Sequence, residues 1–193
     1  MSKAAALKRC FWAESSDSER AYHDAEWGRP LHGDQALFEF LCLEGAQAGL
    51  SWRTVLEKRE HYRRIFHRFD IARCAALTDA ELEQALTDPG IVRNRLKVYA
   101  VRRNALAAQA VQKQHGSLDA YLWSFVDGRP LDNRPRGRGD IPASTPLSDS
   151  LSKALRKLGF TFVGTTICYA FLQATGMVND HLLDCFCREK SEK

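Results

Sequence analysis

From Asp34 onward the apolar residues of this chain recur at intervals of three and four, and no segment alternates apolar with polar residues as a half-buried strand would. That periodicity predicts an all-α fold. Leu37, Phe38, Leu41 and Cys42 mark one face of a helix opened by Asp34 and closing near Gly45–Gly49. Ser51 can start the next, with Trp52, Val55, Leu56 and later Phe66 along one stripe. Thr78 and Glu81 have capping-box spacing and open a short helix that Asp88–Pro89–Gly90 stops. A longer basic helix spans about 94–114, and Ser117 caps "LDAYLWSFV", which Asp127–Gly128 end. Ser148 starts another that Gly159 closes. "GTTICYAFLQATG" is apolar nearly all round, which predicts a central helix. The stretch 129–146, rich in Pro, Gly and Arg, is the one long loop, and no internal repeat is present.

A length of 193 residues suits one domain, compact or two-lobed. We divide it into an N-terminal extension, 1–8, a single domain, 9–187, and a short tail, 188–193. No apolar run reaches the roughly 20 residues of a membrane span, and the N-terminus lacks the apolar core of a signal peptide. Of the six cysteines, Cys42, Cys74 and Cys168 sit in apolar stretches where a reduced, buried thiol is the commoner state. A secreted disulfide framework is therefore disfavoured and a cytoplasmic location expected. Net charge is only +4, but "IVRNRLKVYAVRRN" (91–104) holds Arg93, Arg95, Lys97, Arg102 and Arg103 without an acid, and "NRPRGRG" adds Arg134, Arg136 and Arg138. A solvated basic face is the plain reading of such a run. Contact with a polyanion such as nucleic acid is the sharper one.

In "VNDHLLDCFC" (178–187), His181 and Cys185 stand four apart, so on a helix they share a face. They are half of a possible tetrahedral zinc site, and Cys10 and His23 at the other end of the chain are candidates for the rest. Four protein ligands leave no open position, so such a site is structural and would pin both termini. The competing reading is a buried His–Cys pair near a helix end. Cys187 competes with Cys185, but on a helix it points to another side.

Trp12, Tyr22, Trp27 and Trp52 crowd the first part of the chain. Core packing is the usual fate of aromatics. Glu44, however, lies between an apolar helix and a Gly-rich break in "LFEFLCLEGAQAGLSW", where burial without a partner is costly. An acid beside aromatic faces is a receptor for a flat cation: the rings supply stacking and cation–π attraction, about 0.5–2 kcal/mol per contact, and the acid the opposing charge. The turn at Gly90, followed by a basic helix, exposes backbone N–H groups beside arginines, a geometry that binds phosphate.

Together "AYHDAEWG", "FEFLCLEGAQAGLSWRTVLEKRE", "GIVRNRLKV", "YLWSFV", "IPASTPLSDSLSKALRKLGFTFVGTTICYAF" and "GMVNDHLLDC" closely resemble the 3-methyladenine DNA glycosylase I family, in order from about Arg9 to Cys187. The resemblance implies a helix–hairpin–helix fold and one structural zinc ion on Cys10, His23, His181 and Cys185, with Cys187 outside the ligand set. It implies a base pocket of Glu44, Tyr22 and Trp52 lined or supported by Trp27 and Trp12. Gly49–Leu50 would plug the gap left by a flipped nucleotide. The hairpin near 89–94 and Gly90, Arg93, Arg95 and Lys97 would contact the backbone of double-stranded alkylated DNA. Where some relatives carry a further pocket aromatic this chain has Glu19, which predicts a more open or more acidic pocket mouth.

An adenine methylated at N3 is cationic, so its glycosidic bond is already weak and less acid catalysis is needed than the two carboxylates of ordinary glycosidases provide. Residues 91–118 contain no Asp or Glu, in keeping with the absence from this family of the aspartate that most of its superfamily uses after the hairpin. Glu44 is accordingly assigned to base recognition and electrostatic assistance, and no lysine stands out as a Schiff-base nucleophile. The expectation is a monomeric, monofunctional glycosylase of base excision repair. Rival readings are a non-catalytic, zinc-stapled DNA-binding protein, a zinc hydrolase, and a helical adaptor.

Overall fold

The computed structural model describes residues 7–188. Residues 1–6 and 189–193, most of the two expected extensions, lie outside the described residues. Lys8 and Arg188 fall within those expected extensions and are hydrogen bonded: the Lys8 carbonyl accepts from the Phe186 N–H at 2.9 Å, and Arg188 donates to the His181 carbonyl at 2.8 Å.

The chain is helical as its periodicity predicts. In order come α1 (Asp17–Ala25), α2 (Asp34–Gln47), α3 (Trp52–Leu56), α4 (Arg59–Ile65), α5 (Ile71–Ala75), α6 (Asp79–Ala85), α7 (Arg95–His115) and α8 (Leu118–Trp123). After a long connection come α9 (Pro146–Lys157) and α10 (Thr165–Ala174). Side-chain caps explain most starts. Ser16, Ser51, Asn94 and Ser117 each accept from an N–H of the first turn, and Thr78 and Glu81 form the expected capping box.

Two starts differ from expectation. α9 begins three residues earlier than Ser148, at Thr145 with Pro146 behind it, because Pro is pre-shaped for the first helical position and Ser148 serves as the third residue of a capping box. Asp34 does not cap its own helix, whose N-cap is Gly33. Its carboxylate accepts instead from the Asp119 N–H at 2.9 Å and the Gln112 amide at 2.6 Å, joining the starts of α2 and α8 to the end of α7. Asp34→Ala should therefore cost about 1–3 kcal/mol, since it orphans a backbone donor at a helix start. Urea melts that differ by less than about 0.5 kcal/mol would refute that role.

The centre of the molecule is α2. Every residue from Leu37 to Ala46 is buried, the carboxylates Glu39 and Glu44 included, so the helix is surrounded on all sides and not on the one face its spacing marks. α7, α8 and α10 pack around it, with α9 outside α10 and α5 against α7. The apolar α10 is thus one neighbour of the centre. Two short strands, absent from the expected pattern, pair in parallel: β1 (Leu131–Asp132) and β2 (Val178–Asn179), with Leu131 opposite Val178. They escape sequence detection because two residues carry no periodicity. Through them the long basic loop is fastened to the C-terminal segment, where the Leu183 N–H also donates to the Pro135 carbonyl at 2.9 Å. No helix among the described residues is long and apolar enough to cross a membrane.

Candidate functional site

Two carboxylates lie buried in α2, and their surroundings differ. Glu39 is met by Arg59 at 2.6 Å and Arg63 at 2.8 Å, a paired buried charge. Glu44, 3 % exposed, has no ion pair among the described residues, and its Oε2 lacks any hydrogen-bond partner. Burial alone pushes its carboxyl up to about 8. Tyr22 hydroxyl and Trp52 Nε1 are likewise buried and unpartnered. Buried polar groups are nearly always satisfied, so each such orphan asks for an explanation. These three line one cavity of about 280 Å³.

Its walls are aromatic. The Tyr22 and Trp52 rings lie 5.3 Å apart, Trp12 stands 6.3 Å from Tyr22, and Trp27 meets Trp12 edge-on at 5.1 Å. All five expected pocket residues are thus brought together. Phe11, Gln47, Ile141, Ala170 and Gln173 complete the lining, and none of them belongs to the expected site. Gln173 left a signal, as the lone amide in an otherwise apolar helix. Glu19 lines the cavity as well, but its carboxylate accepts from the Ser15 and Ser16 hydroxyls at 2.5 and 3.0 Å, so it is tied to the start of α1. A larger groove of about 610 Å³ between α4 and α6 holds no buried unpartnered polar atom among the described residues.

Behind the Trp12–Trp27 wall, Cys10, His23, His181 and Cys185 are all buried, with ligand atoms within 4.8 Å of one another. Cys10 Sγ lies 3.6 Å from His181 Nδ1, and Cys185 Sγ lies 3.5 Å from the same nitrogen and 3.4 Å from His23 Nε2. The second nitrogen of each imidazole has its own acceptor: Asp24 at 2.9 Å from His23 Nδ1, and the Trp27 carbonyl at 3.1 Å from His181 Nε2. Arg9 grips Asp24 with two nitrogens and holds its carboxyl below the usual carboxylate range. Gly28 lies so close that a Cβ there would stand 2.7 Å from His181 Nε2, on a backbone already at φ +73°. The four residues could therefore hold a metal ion. They do not meet as expected, however. Residues 180–187 run in turns, so His181 and Cys185 come together through a Cys185 N–H to Leu182 carbonyl turn rather than along a helix face. Cys187 approaches His23 from its other nitrogen, 3.9 Å from Nδ1.

α6 and α7 are joined by residues 86–94. Gly90 sits against the half-exposed His61 ring, which a Cβ there, 2.0 Å from its Nδ1, would displace. The Gly90 N–H donates to Asp88 at 2.6 Å, and the Val92 N–H to the Tyr62 hydroxyl at 3.1 Å. Arg93 is exposed. Arg95 is exposed too, lying on Tyr99 at 4.8 Å and paired with Glu83 at 2.5 Å. Lys97 turns inward: its ammonium donates to the Ala46 and Ala48 carbonyls at 2.8 and 2.6 Å, and it therefore fastens the turn that carries Gly49 and Leu50. Leu50, at the tip of that turn beside the cavity residue Trp52, is exposed.

The family model for methyladenine glycosylase matches residues 12–188. The DNA-3-methyladenine glycosylase 1 of Escherichia coli K12 is 48% identical over 181 residues, 94% of this chain and 97% of that protein. A crystal structure of a 3-methyladenine DNA glycosylase I superposes with a TM-score of 0.91 at 51% identity, covering 94% of this chain and all of the other. A Staphylococcus aureus structure that describes 3-methyladenine recognition by its 3-methyladenine DNA glycosylase I superposes equally well at 34% identity, over 95% of this chain and 97% of that one.

Proposed function

The chain belongs to the methyladenine glycosylase family, and from that premise we propose that it excises 3-methyladenine from alkylated double-stranded DNA by hydrolysing the N-glycosidic bond, the opening step of base excision repair. One observation carries the reading to this cavity: three buried, unpartnered polar atoms, on Glu44, Tyr22 and Trp52, among aromatic faces. They are a hydrogen-bonding set in search of a flat polar guest.

An extruded nucleotide costs a few kcal/mol of stacking and pairing, least for a damaged base. Once in the cavity, a cationic base stacks on the Tyr22 and Trp52 rings and draws Glu44 toward its ionised form, because an opposite charge favours the charged carboxylate. Neutral adenine offers no such return for burying an ion, which is how the cavity prefers damage. Water oxygen then bonds to the sugar C1′ as the C1′–N9 pair passes to the base, cancelling its charge, and the water loses its proton. Glu44 contacts the base and assists this charge flow. The reaction needs no lysine and leaves the strand uncut. A protein that merely bound DNA would gain nothing from an unpaired buried acid.

We assign α6, residues 86–94 and α7 to a helix–hairpin–helix element, with Gly90, Arg93 and Arg95 against the phosphates. Gly49–Leu50, braced by Lys97, would enter the space the base leaves. Cys10, His23, His181 and Cys185 would hold one structural zinc ion. Ligands around tetrahedral zinc stand about 3.5 Å apart, and three of the S–N separations are 3.4, 3.5 and 3.6 Å. Each imidazole also has the second acceptor that metal-bound histidines keep. Such an ion supplies cross-linking of the termini and no chemistry. The purified protein should release free 3-methyladenine from methylated duplex DNA. A folded protein that releases none overturns the assignment.

A further inference from the structure

The cavity's wall on α10 is made by Ala170 and Gln173, one turn apart. Behind Gln173 lies Asp180, 1 % exposed. Its Oδ2 accepts from Gln173 Nε2 at 2.7 Å and from the Tyr169 hydroxyl at 2.5 Å, and its Oδ1 accepts from Asn133 Nδ2 at 2.8 Å. An amide can face a neighbour with either end, but a carboxylate among three donors only accepts. The nitrogen of Gln173 must therefore turn toward Asp180. Its amide oxygen has no hydrogen-bond partner among the described residues.

We propose that Gln173 tells a 6-amino purine from a 6-oxo purine in this cavity, Asp180 holding its amide so that an acceptor is shown to the ligand. The inference rests on the glycosylase reading and deepens it. Purines methylated at N3 within DNA are cationic whether the parent is adenine or guanine. Ring stacking and charge attraction alone therefore treat the two alike, and discrimination comes from hydrogen bonding at the edges that differ, of which position 6 is one. There adenine carries an amine with two N–H donors, and guanine a carbonyl. A fixed acceptor welcomes the first and meets the second lone pair to lone pair. Selectivity between similar ligands often needs such a repulsive element. A freely rotating amide could not supply it, since it would turn over and donate to the carbonyl. The Asp180 network removes that freedom. In this scheme Gln173 touches the base, whereas Asp180 is a positioning residue.

The test scores free 3-methyladenine and free 3-methylguanine released from one preparation of methylated duplex DNA. Gln173→Met keeps the length of the side chain and removes the acceptor. It should raise the ratio of 3-methylguanine to 3-methyladenine release about tenfold, the scale of one lost polar discrimination. Asp180→Asn leaves Gln173 in place but can donate to its oxygen, so the amide can turn. It should move the ratio in the same direction. Thermal melts verify that each variant is folded, and if Gln173→Met is not, the Asp180→Asn ratio decides alone. A ratio within twofold of the parent's in the folded variants overturns the proposal. A parent that releases no 3-methyladenine overturns instead the glycosylase reading on which it rests.

Discussion

Glu44→Gln should lower the rate of 3-methyladenine excision at least 100-fold while making the protein more stable at alkaline pH. The first half follows from charge. Glutamine keeps the shape and one acceptor but cannot become an anion, so the cationic base loses its counter-charge in a site where solvent cannot replace it. The second half follows from burial. In the folded protein the Glu44 carboxyl sits at about 8, against an ordinary value near 4.5. The native state thus keeps a proton that the unfolded chain releases, and stability falls as pH rises from about 4.5 to about 8. That separation corresponds to on the order of 5 kcal/mol as an upper bound. The variant, with nothing to ionise, escapes it. Its melting temperature should exceed the parent's by several degrees at pH 9 and match it near pH 5. The parent's kcat/KM should climb toward pH 8 as the free carboxyl ionises, and the variant should lose that limb. Parallel melting curves at both pH values, or undiminished excision, would return Glu44 to a purely structural role.

Cys185→Ser should strike the fold rather than the chemistry. The cysteine lies in a buried cluster that bridges residues from both ends of the chain, and structural zinc binding is folding free energy. We expect loss of the zinc and a fall in melting temperature of more than about 10 °C, since each kcal/mol moves a chain of this size by a few degrees. A chelator should bring the parent to the same state. Excision measured at low temperature, where the variant is still folded, should stay within a few-fold of the parent's. Full zinc content with an unchanged melt would remove Cys185 from the site. Abolished excision in a folded, zinc-free variant would revive the zinc-hydrolase alternative.

Helix starts are legible at Ser51, Thr78, Asn94 and Ser117, where the cap is local, but not at Thr145, whose capping-box partner Ser148 mimics a cap. Side chains that work at long range are not legible in this way. Asp34 reaches Asp119 and Gln112, and Lys97 reaches back to Ala46 and Ala48, and no spacing rule records a partner dozens of residues away. Glu44 was legible because an acid in an apolar helix is expensive. Glu39, five residues earlier in the same helix, has the same cost offset by Arg59 and Arg63, which only the fold reveals. His181 and Cys185 do meet, although the helical argument for their meeting fails. Their segment is a series of turns tied down by β2, Leu182 and Arg188.

The Lys8 carbonyl and the Phe186 N–H lie 2.9 Å apart, so the described stretch from Lys8 to Phe186 is nearly a closed ring of peptide. Where such a ring is cut is a choice of sequence and not of shape. Joining Lys8 and Phe186 through a short linker and reopening the chain at the exposed Gly116 turn would keep every described helix. Yet Cys10 and His181, now 171 residues apart, would become close neighbours in sequence. The longest-range contact described above would become a local one, lowering the contact order of the fold.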